Sequence, residues 1–167
     1  VALCAAAAAL AFTAPAFADP AAKAKDAKAA EKVAAKGFGM FESGLKTGSP
    51  KTMAGLFAPT GVLQPTVSNK VADTSAEIEE YFVSFLKLSP KPQINERYVR
   101  ALDDNTILDA GVWSFDLTRD GKAEWVTARY SFLWEQQANG DWKIQHLHSS
   151  LMPEKVATRP AALKSAY

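Results

Sequence analysis

The only two histidines of the chain, His146 and His148, stand two apart in the run WKIQHLHSSLMP, from Trp142 to Pro153. Strand alternation puts His146, His148 and Ser150 on one face with Trp142 and Ile144, and turns Leu147 and Ser149 to the other. Asn139-Gly140 upstream is a hairpin signal. Read as a two-residue turn, it sets Leu133 opposite His146, Ser131 opposite His148 and Arg129 opposite Ser150. One sheet face then gathers Arg129, Ser131, His146, His148 and Ser150. Such a set can hold an anionic or strongly polar group, and a histidine there can move a proton near neutral pH. A buried arginine must be paired or meet an anion. Two readings of Arg129 therefore stay open: a pocket arginine that fixes a ligand, or a structural ion pair with Asp109 or Glu96.

Other chemistries fit less well. A His-x-His pair needs a third ligand to hold a metal, and its neighbours here are serines, a leucine and an arginine. Ser149 and Ser150 sit at a strand end, with no G-x-S-x-G elbow to activate them. Neither a P-loop nor a dinucleotide-binding glycine run is present, so no cofactor and no metal is expected. Proton transfer is the remaining enzymatic reading, with His148 or Asp116 as base and a tyrosine such as Tyr81 as donor to an oxyanion. Four tryptophans could suggest carbohydrate stacking, but in a β-meander they more often fill core or interface.

The elements that position this cluster follow from periodicity and turn signals. Val33, Phe38, Phe41 and Leu45 recur at approximate helical spacing between Glu31 and Lys46, with Gly37 and Gly39 permitting a close neighbour. PKTMAGLF from Pro50 is a short helical piece. GVLQPTVSN is strand-like and interrupted by Pro65, which suits an edge. Thr74 or Ser75 caps a third helix whose buried stripe is Ile78, Phe82, Phe85 and Leu86. Everything after Pro92 reads as four strands, separated at Asp104-Asn105, Asp120-Gly121 and Asn139-Gly140. Three helices followed by an antiparallel meander make an α+β domain.

The Asp120-Gly121 turn sets Val112 opposite Arg129, Ser114 opposite Thr127 and Asp116 opposite Trp125. The other sheet face, with Trp113, Phe115, Val126, Ala128, Tyr130, Phe132 and Trp134, is far more apolar. Large side chains on both faces call for cover on both. One face meets the helices and the other a second subunit, with Trp113, Phe115, Phe132 and Trp134 as the expected interface group. Helices over the Arg129 face would add Tyr81 and Phe82 to the ligand-binding set.

The chain has 167 residues, enough for one domain with a sizeable core, and a net charge of +1. That balance supplies no field for a nucleic acid partner. Residues 1–18, VALCAAAAALAFTAPAFA, are uncharged, rich in alanine, and end in the small-x-small signal Ala16-Phe17-Ala18. They read as a signal peptide lacking its basic start. A mature chain from Asp19, periplasmic or secreted, with no membrane attachment after cleavage, is expected. Cleavage would remove Cys4, the one cysteine. Residues 19–30 read as a flexible or helical extension, 31–153 as the folded domain, and 154–167 as a loose tail.

With these residues in place, VTARYSFLWEQQANGDWKIQHLHSSLMP resembles the last two strands of the nuclear transport factor 2-like superfamily. It is similar, more narrowly, to bacterial secreted relatives of the calcium/calmodulin-dependent protein kinase II association domain, grouped near the SnoaL-like proteins. LFAPTGVLQPTVSN, IEEYFVSFL and DAGVWSFDL follow that family's elements in order. The resemblance implies a cone-shaped fold, in which a curved antiparallel sheet wraps N-terminal helices around a pocket and subunits join through the outer sheet faces. It does not imply calmodulin as a partner. The expectation for function is an exported homodimer or larger ring. It would bind a small organic acid or polar cyclic molecule, partly apolar with an anionic or polar end, without robust catalysis. The alternatives are a ketosteroid-isomerase-like proton-transfer enzyme (isomerase or dehydratase) and a purely structural oligomerisation hub.

Overall fold

The computed structural model describes residues 20–164, with side chains from residue 26 onward. The signal segment expected at 1–18 lies outside the described residues. Helix α1, Pro20–Thr47, is continuous through the extension expected before residue 31. It ends at Gly48, whose φ of 67° suits glycine. Helix α2, Pro50–Ala54, starts with proline at its first position, and Ser49 Oγ accepts from the Thr52 N–H at 3.1 Å. Helix α3, Ser75–Phe85, is capped by Thr74, whose Oγ1 accepts from the Glu77 N–H at 3.3 Å. The Glu77 carboxylate in turn accepts from the Asp73 N–H, close to a capping box.

Five strands follow or interleave: β1 Phe57–Gln64, β2 Lys91–Ala101, β3 Thr106–Arg119, β4 Lys122–Gln136 and β5 Trp142–Leu151. They form one curved, unclosed sheet in the order β1-β5-β4-β3-β2, with β1 parallel to β5 and the other pairs antiparallel. The expected α+β architecture holds, and β1 lies at an edge with Pro65 just beyond its end.

The β3–β4 hairpin has the expected register throughout, including Val112 opposite Arg129 and Asp116 opposite Trp125. Asp120 and Gly121 both take positive φ, as a two-residue turn of this hand requires. The β4–β5 hairpin is different. Its strands close through a Gln137 N–H to Asp141 carbonyl bond at 2.8 Å, leaving three residues in the loop, with Gly140 at φ 86°. That moves the register by one near the turn, so Trp134 faces Ile144. A bulge at Gln145 then restores it, and Leu133 faces His146, Ser131 faces His148 and Arg129 faces Ser150 as expected. The bulge resets the alternation. Ile144 is therefore fully buried on the inner face with Leu147, and the expectation that Ile144 and Trp142 share the histidine face is corrected.

The helices cover the aromatic face. Phe41, Phe82 and Phe85 meet Trp113, Phe115 and Phe132, with Phe41 stacked on Trp113 at 5.9 Å and edge-on to Phe132 at 5.5 Å between ring centres. Trp113, Phe115, Phe132 and Trp134 are 2, 7, 0 and 1% exposed within the single chain. Their assignment as an intersubunit surface is thereby overturned. A curved sheet buries the face it wraps around, and these rings fill it. Part of the segment read as a loose tail, residues 159–163, contacts β2 and β3. The Pro160 carbonyl accepts from Gln93 and Asn95, the Leu163 N–H donates to Ile94 at 2.7 Å, and Arg159 pairs with Asp116 at 2.8 Å.

The two glycines of α1 have different reasons to be there. A Cβ on Gly37 would lie 2.7 Å from the Trp134 ring, whereas one on Gly39 would meet nothing within 4 Å. Gly37→Ala is expected to destabilise the protein by roughly 1–3 kcal/mol through overpacking. Gly39→Ala is expected to stabilise it by up to about 1 kcal/mol through helix propensity. Urea unfolding of the two variants should shift in opposite directions.

Candidate functional site

Between α3 and the inner face of the sheet lies a chamber of ≈ 40 Å³, space for a few waters. Phe41, Leu63, Phe82, Phe85, Phe115 and Leu147 are among the apolar residues of its wall. The position of these residues is set locally. Phe82 and Phe85 lie on the buried stripe of α3, while Leu147 and Ser149 lie on the inner face of β5 because of the bulge at Gln145. Pro65, Thr66 and Val67, the turn leaving β1, close one side.

Three polar groups meet in this apolar setting. The Trp113 indole N–H donates to Ser149 Oγ at 3.1 Å, and Ser149 Oγ shares a short 2.5 Å contact with Thr66 Oγ1. Tyr81 also lines the chamber, its ring stacked on Phe85 at 5.5 Å, and burial pushes its phenol well above the usual range. Among the described residues lining the chamber none is Asp, Glu or His. Nothing there can serve as a carboxylate or imidazole base.

A second polar group lies deeper in the same layer. Asp109 is completely buried and accepts from Arg97 Nε at 3.1 Å and from the Tyr130 hydroxyl at 3.0 Å. Arg97 stands opposite Gly111, which presents no side chain to obstruct it, and its guanidinium lies 5.4 Å above the Phe38 ring centre. A Cβ on Gly111 would meet the Glu96 carbonyl oxygen, because a bulge between Ile94 and Glu96 tips that carbonyl inward. Burial raises the Asp109 carboxyl above its usual range, opposed by the Arg97 charge and by the Tyr130 hydroxyl. Arg97 Nη2, Asp109 Oδ2 and Trp134 Nε1 are buried without a protein partner.

The histidine cluster does assemble, but on the outer face. Arg129 Nη2 donates to Ser150 Oγ at 3.2 Å, and His146, His148 and Ser131 lie alongside by register. His148 is exposed and His146 half-buried; burial first, then the His148 charge, lowers the His146 pKa. None of the five lines the chamber. Of the expected ligand-binding residues, Tyr81 and Phe82 do line it. Asp116 is on the outer face, paired with Arg159, so neither proposed base reaches the chamber. Of the two carboxylates considered for Arg129, Asp109 belongs to Arg97 instead. Sequence reasoning turned Ser149 away from the histidines but assigned it no role. It missed Thr66 and Arg97, because a loop hydroxyl and one arginine among many carry no periodic signal. No group of three or more metal-ligating side chains gathers among the described residues.

The family model for the calcium/calmodulin dependent protein kinase II association domain matches residues 26–153. A candidate association domain of this type from Xanthomonas campestris is 49% identical, with 71% of this chain and 84% of that one covered and a TM-score of 0.69. A nuclear transport factor 2-like protein from Salmonella enterica is 18% identical over 78% of this chain and 99% of that one, at a TM-score of 0.64. A candidate ketosteroid isomerase from Shewanella frigidimarina is 18% identical, covering 71% and 94%, at 0.57. The last two likenesses concern the fold alone. Comparison with curated protein sequences finds no match.

Two measurements probe the charges described above. Asp109→Leu leaves Arg97 buried without its partner and is expected to cost about 3–5 kcal/mol in urea unfolding. Arg97→Met/Asp109→Leu should cost much less than the two single changes added together. For His146, a pKa below the ordinary 6.5 means the unfolded chain binds the proton more readily. Its contribution to stability is then complete above about pH 6.5 and is lost as pH falls through the lowered value. His146→Gln should flatten the pH dependence of stability in that window.

Proposed function

The chain belongs to the calcium/calmodulin dependent protein kinase II association domain family, and from that premise we propose that it is a self-associating domain that holds a small, mostly apolar ligand in its chamber without turning it over. The observation that carries the ligand reading is the chamber itself. Its lining, apolar with a few convergent polar groups, has the usual composition of a small-molecule site, and at ≈ 40 Å³ it must widen as a ligand enters. The missing carboxylate and imidazole in its lining argue for binding over proton transfer, because a general base must lie within hydrogen-bond reach of the proton it removes. The polar end of the ligand meets Thr66, Ser149 and Trp113, and Arg129 stays outside.

Self-association is assigned to the outer sheet face. The family name supports it, and so does the composition of that face. Leu108, Val112 and Leu133 are only half-buried there, beside Tyr98, which is 60% exposed. Glu96 and Arg129 flank Val112 across the strands, so opposite charges are available to a symmetric partner. The tail held by Asn95 and Asp116 bounds the surface at the β3–β4 turn end. Export to the periplasm or medium is part of the same proposal, supported by the alanine-rich run ending in Ala16-Phe17-Ala18.

Light scattering on the purified protein is expected to give a dimer or larger assembly. Leu133→Lys with Val112→Asp should give a folded monomer with an unchanged circular dichroism spectrum, since both residues point away from the core. A monomeric parent chain would remove the association reading. N-terminal sequencing of protein from the native host should begin at Asp19; an intact leader in a cytosolic fraction would remove the export reading.

A further inference from the structure

Resting on the ligand-binding reading above, we infer that the chamber selects an uncharged, largely apolar small molecule with a single hydrogen-bond acceptor, of the ketone or ester class, and rejects its carboxylate counterpart. The inference comes from counting hydrogens. Trp113, Ser149 and Thr66 bring three donors between them: one indole N–H and two hydroxyls. The indole hydrogen is committed to Ser149 Oγ. One hydroxyl hydrogen lies within the Ser149–Thr66 contact, whichever oxygen carries it. One hydroxyl hydrogen remains. If Ser149 donates to Thr66, the Thr66 hydrogen is free; if Thr66 donates, Ser149 already accepts two bonds and turns its own hydrogen outward. The trio thus offers a ligand one neutral donor.

Charge points the same way. A carboxylate brought into an apolar chamber needs a cation or several donors to offset its lost hydration. Pro65, in the turn that closes the chamber, has no N–H to add. The buried cation on the inner sheet face, Arg97, does not line the chamber and already has a carboxylate in Asp109. The Tyr81 hydroxyl is a further neutral donor in the lining, uncharged at neutral pH, and burial pushes its pKa up rather than down. A ketone or ester oxygen accepts the trio's free hydrogen, and its hydrocarbon remainder meets the phenylalanine and leucine side chains of the lining.

The test uses three probes of one ring size on the whole chain: cyclopentanone, methylcyclopentane and cyclopentanecarboxylate at pH 7. Binding is followed by thermal shift and by the assigned Trp113 indole N–H resonance. Cyclopentanone is expected to move that resonance saturably and to bind about five- to tenfold more tightly than methylcyclopentane, the value of one neutral hydrogen bond. The carboxylate is expected to leave it unmoved. Tighter binding of the carboxylate would overturn the neutral-ligand inference and leave the binding reading standing, as would equal binding of the ketone and the hydrocarbon for the acceptor. If none of the three perturbs Trp113, both the inference and the ligand-binding reading fall.

Discussion

Trp113 is the contact on which the rest of the interior depends. Its ring meets Phe41 of α1, Phe115 on its own strand, and Tyr130 and Phe132 on β4, all within 4.8–5.9 Å between centres. Its N–H reaches across β4 to Ser149 on β5. One side chain therefore ties the first helix to three strands and also orients the polar end of the chamber. Aromatic pairs at these separations add to the large apolar area each ring buries. Moving this indole would disturb the packing and the hydroxyl pair together.

The same layer contains a charge pair far from water. Arg97 and Asp109 are placed there by backbone features that the pair itself requires. The bulge between Ile94 and Glu96 brings Arg97 to the inner face, and Gly111 leaves space beside it. Such pairs seldom add net stability over apolar packing, but removing one partner is costly. The pair also divides the interior. The formal charges sit at the Phe38 and Trp134 end, and the chamber at the Phe82 and Phe85 end is left neutral. That division keeps the chamber apart from the charges within the fold.

The outer face shows how local signals can be right for reasons they do not contain. The histidine register came from treating Asn139-Gly140 as a two-residue turn. The loop is one residue longer, and the bulge at Gln145 offsets it, so the pairs beside His146, His148 and Ser150 come out as expected while Ile144 does not. Periodicity assumes unbroken alternation, and a bulge is defined by breaking it. The same break gives the chamber Leu147 and Ser149 on one side of the strand and leaves Ile144 buried with them.

The sequence by itself determined the α+β class, the three helices with a cap at Thr74 or Ser75 on the third, the strand order along the chain, and the fully paired β3–β4 hairpin. These depend on neighbouring residues: apolar spacing, capping hydroxyls and the positive φ of Asp120-Gly121. It also identified two chemically distinct sheet faces. Only the tertiary structure decided which face the helices cover, and that choice moved Trp113 and Trp134 from surface to core and Arg129 and both histidines from pocket to exterior. Two faces with large side chains look alike to a local pattern. The direction in which the sheet curves around α1 and α3 depends on contacts between residues far apart in the chain, such as Phe41 with Phe132 and Phe85 with Phe115. The meeting of Thr66, Trp113 and Ser149 is of that kind, because no spacing along the sequence relates the three.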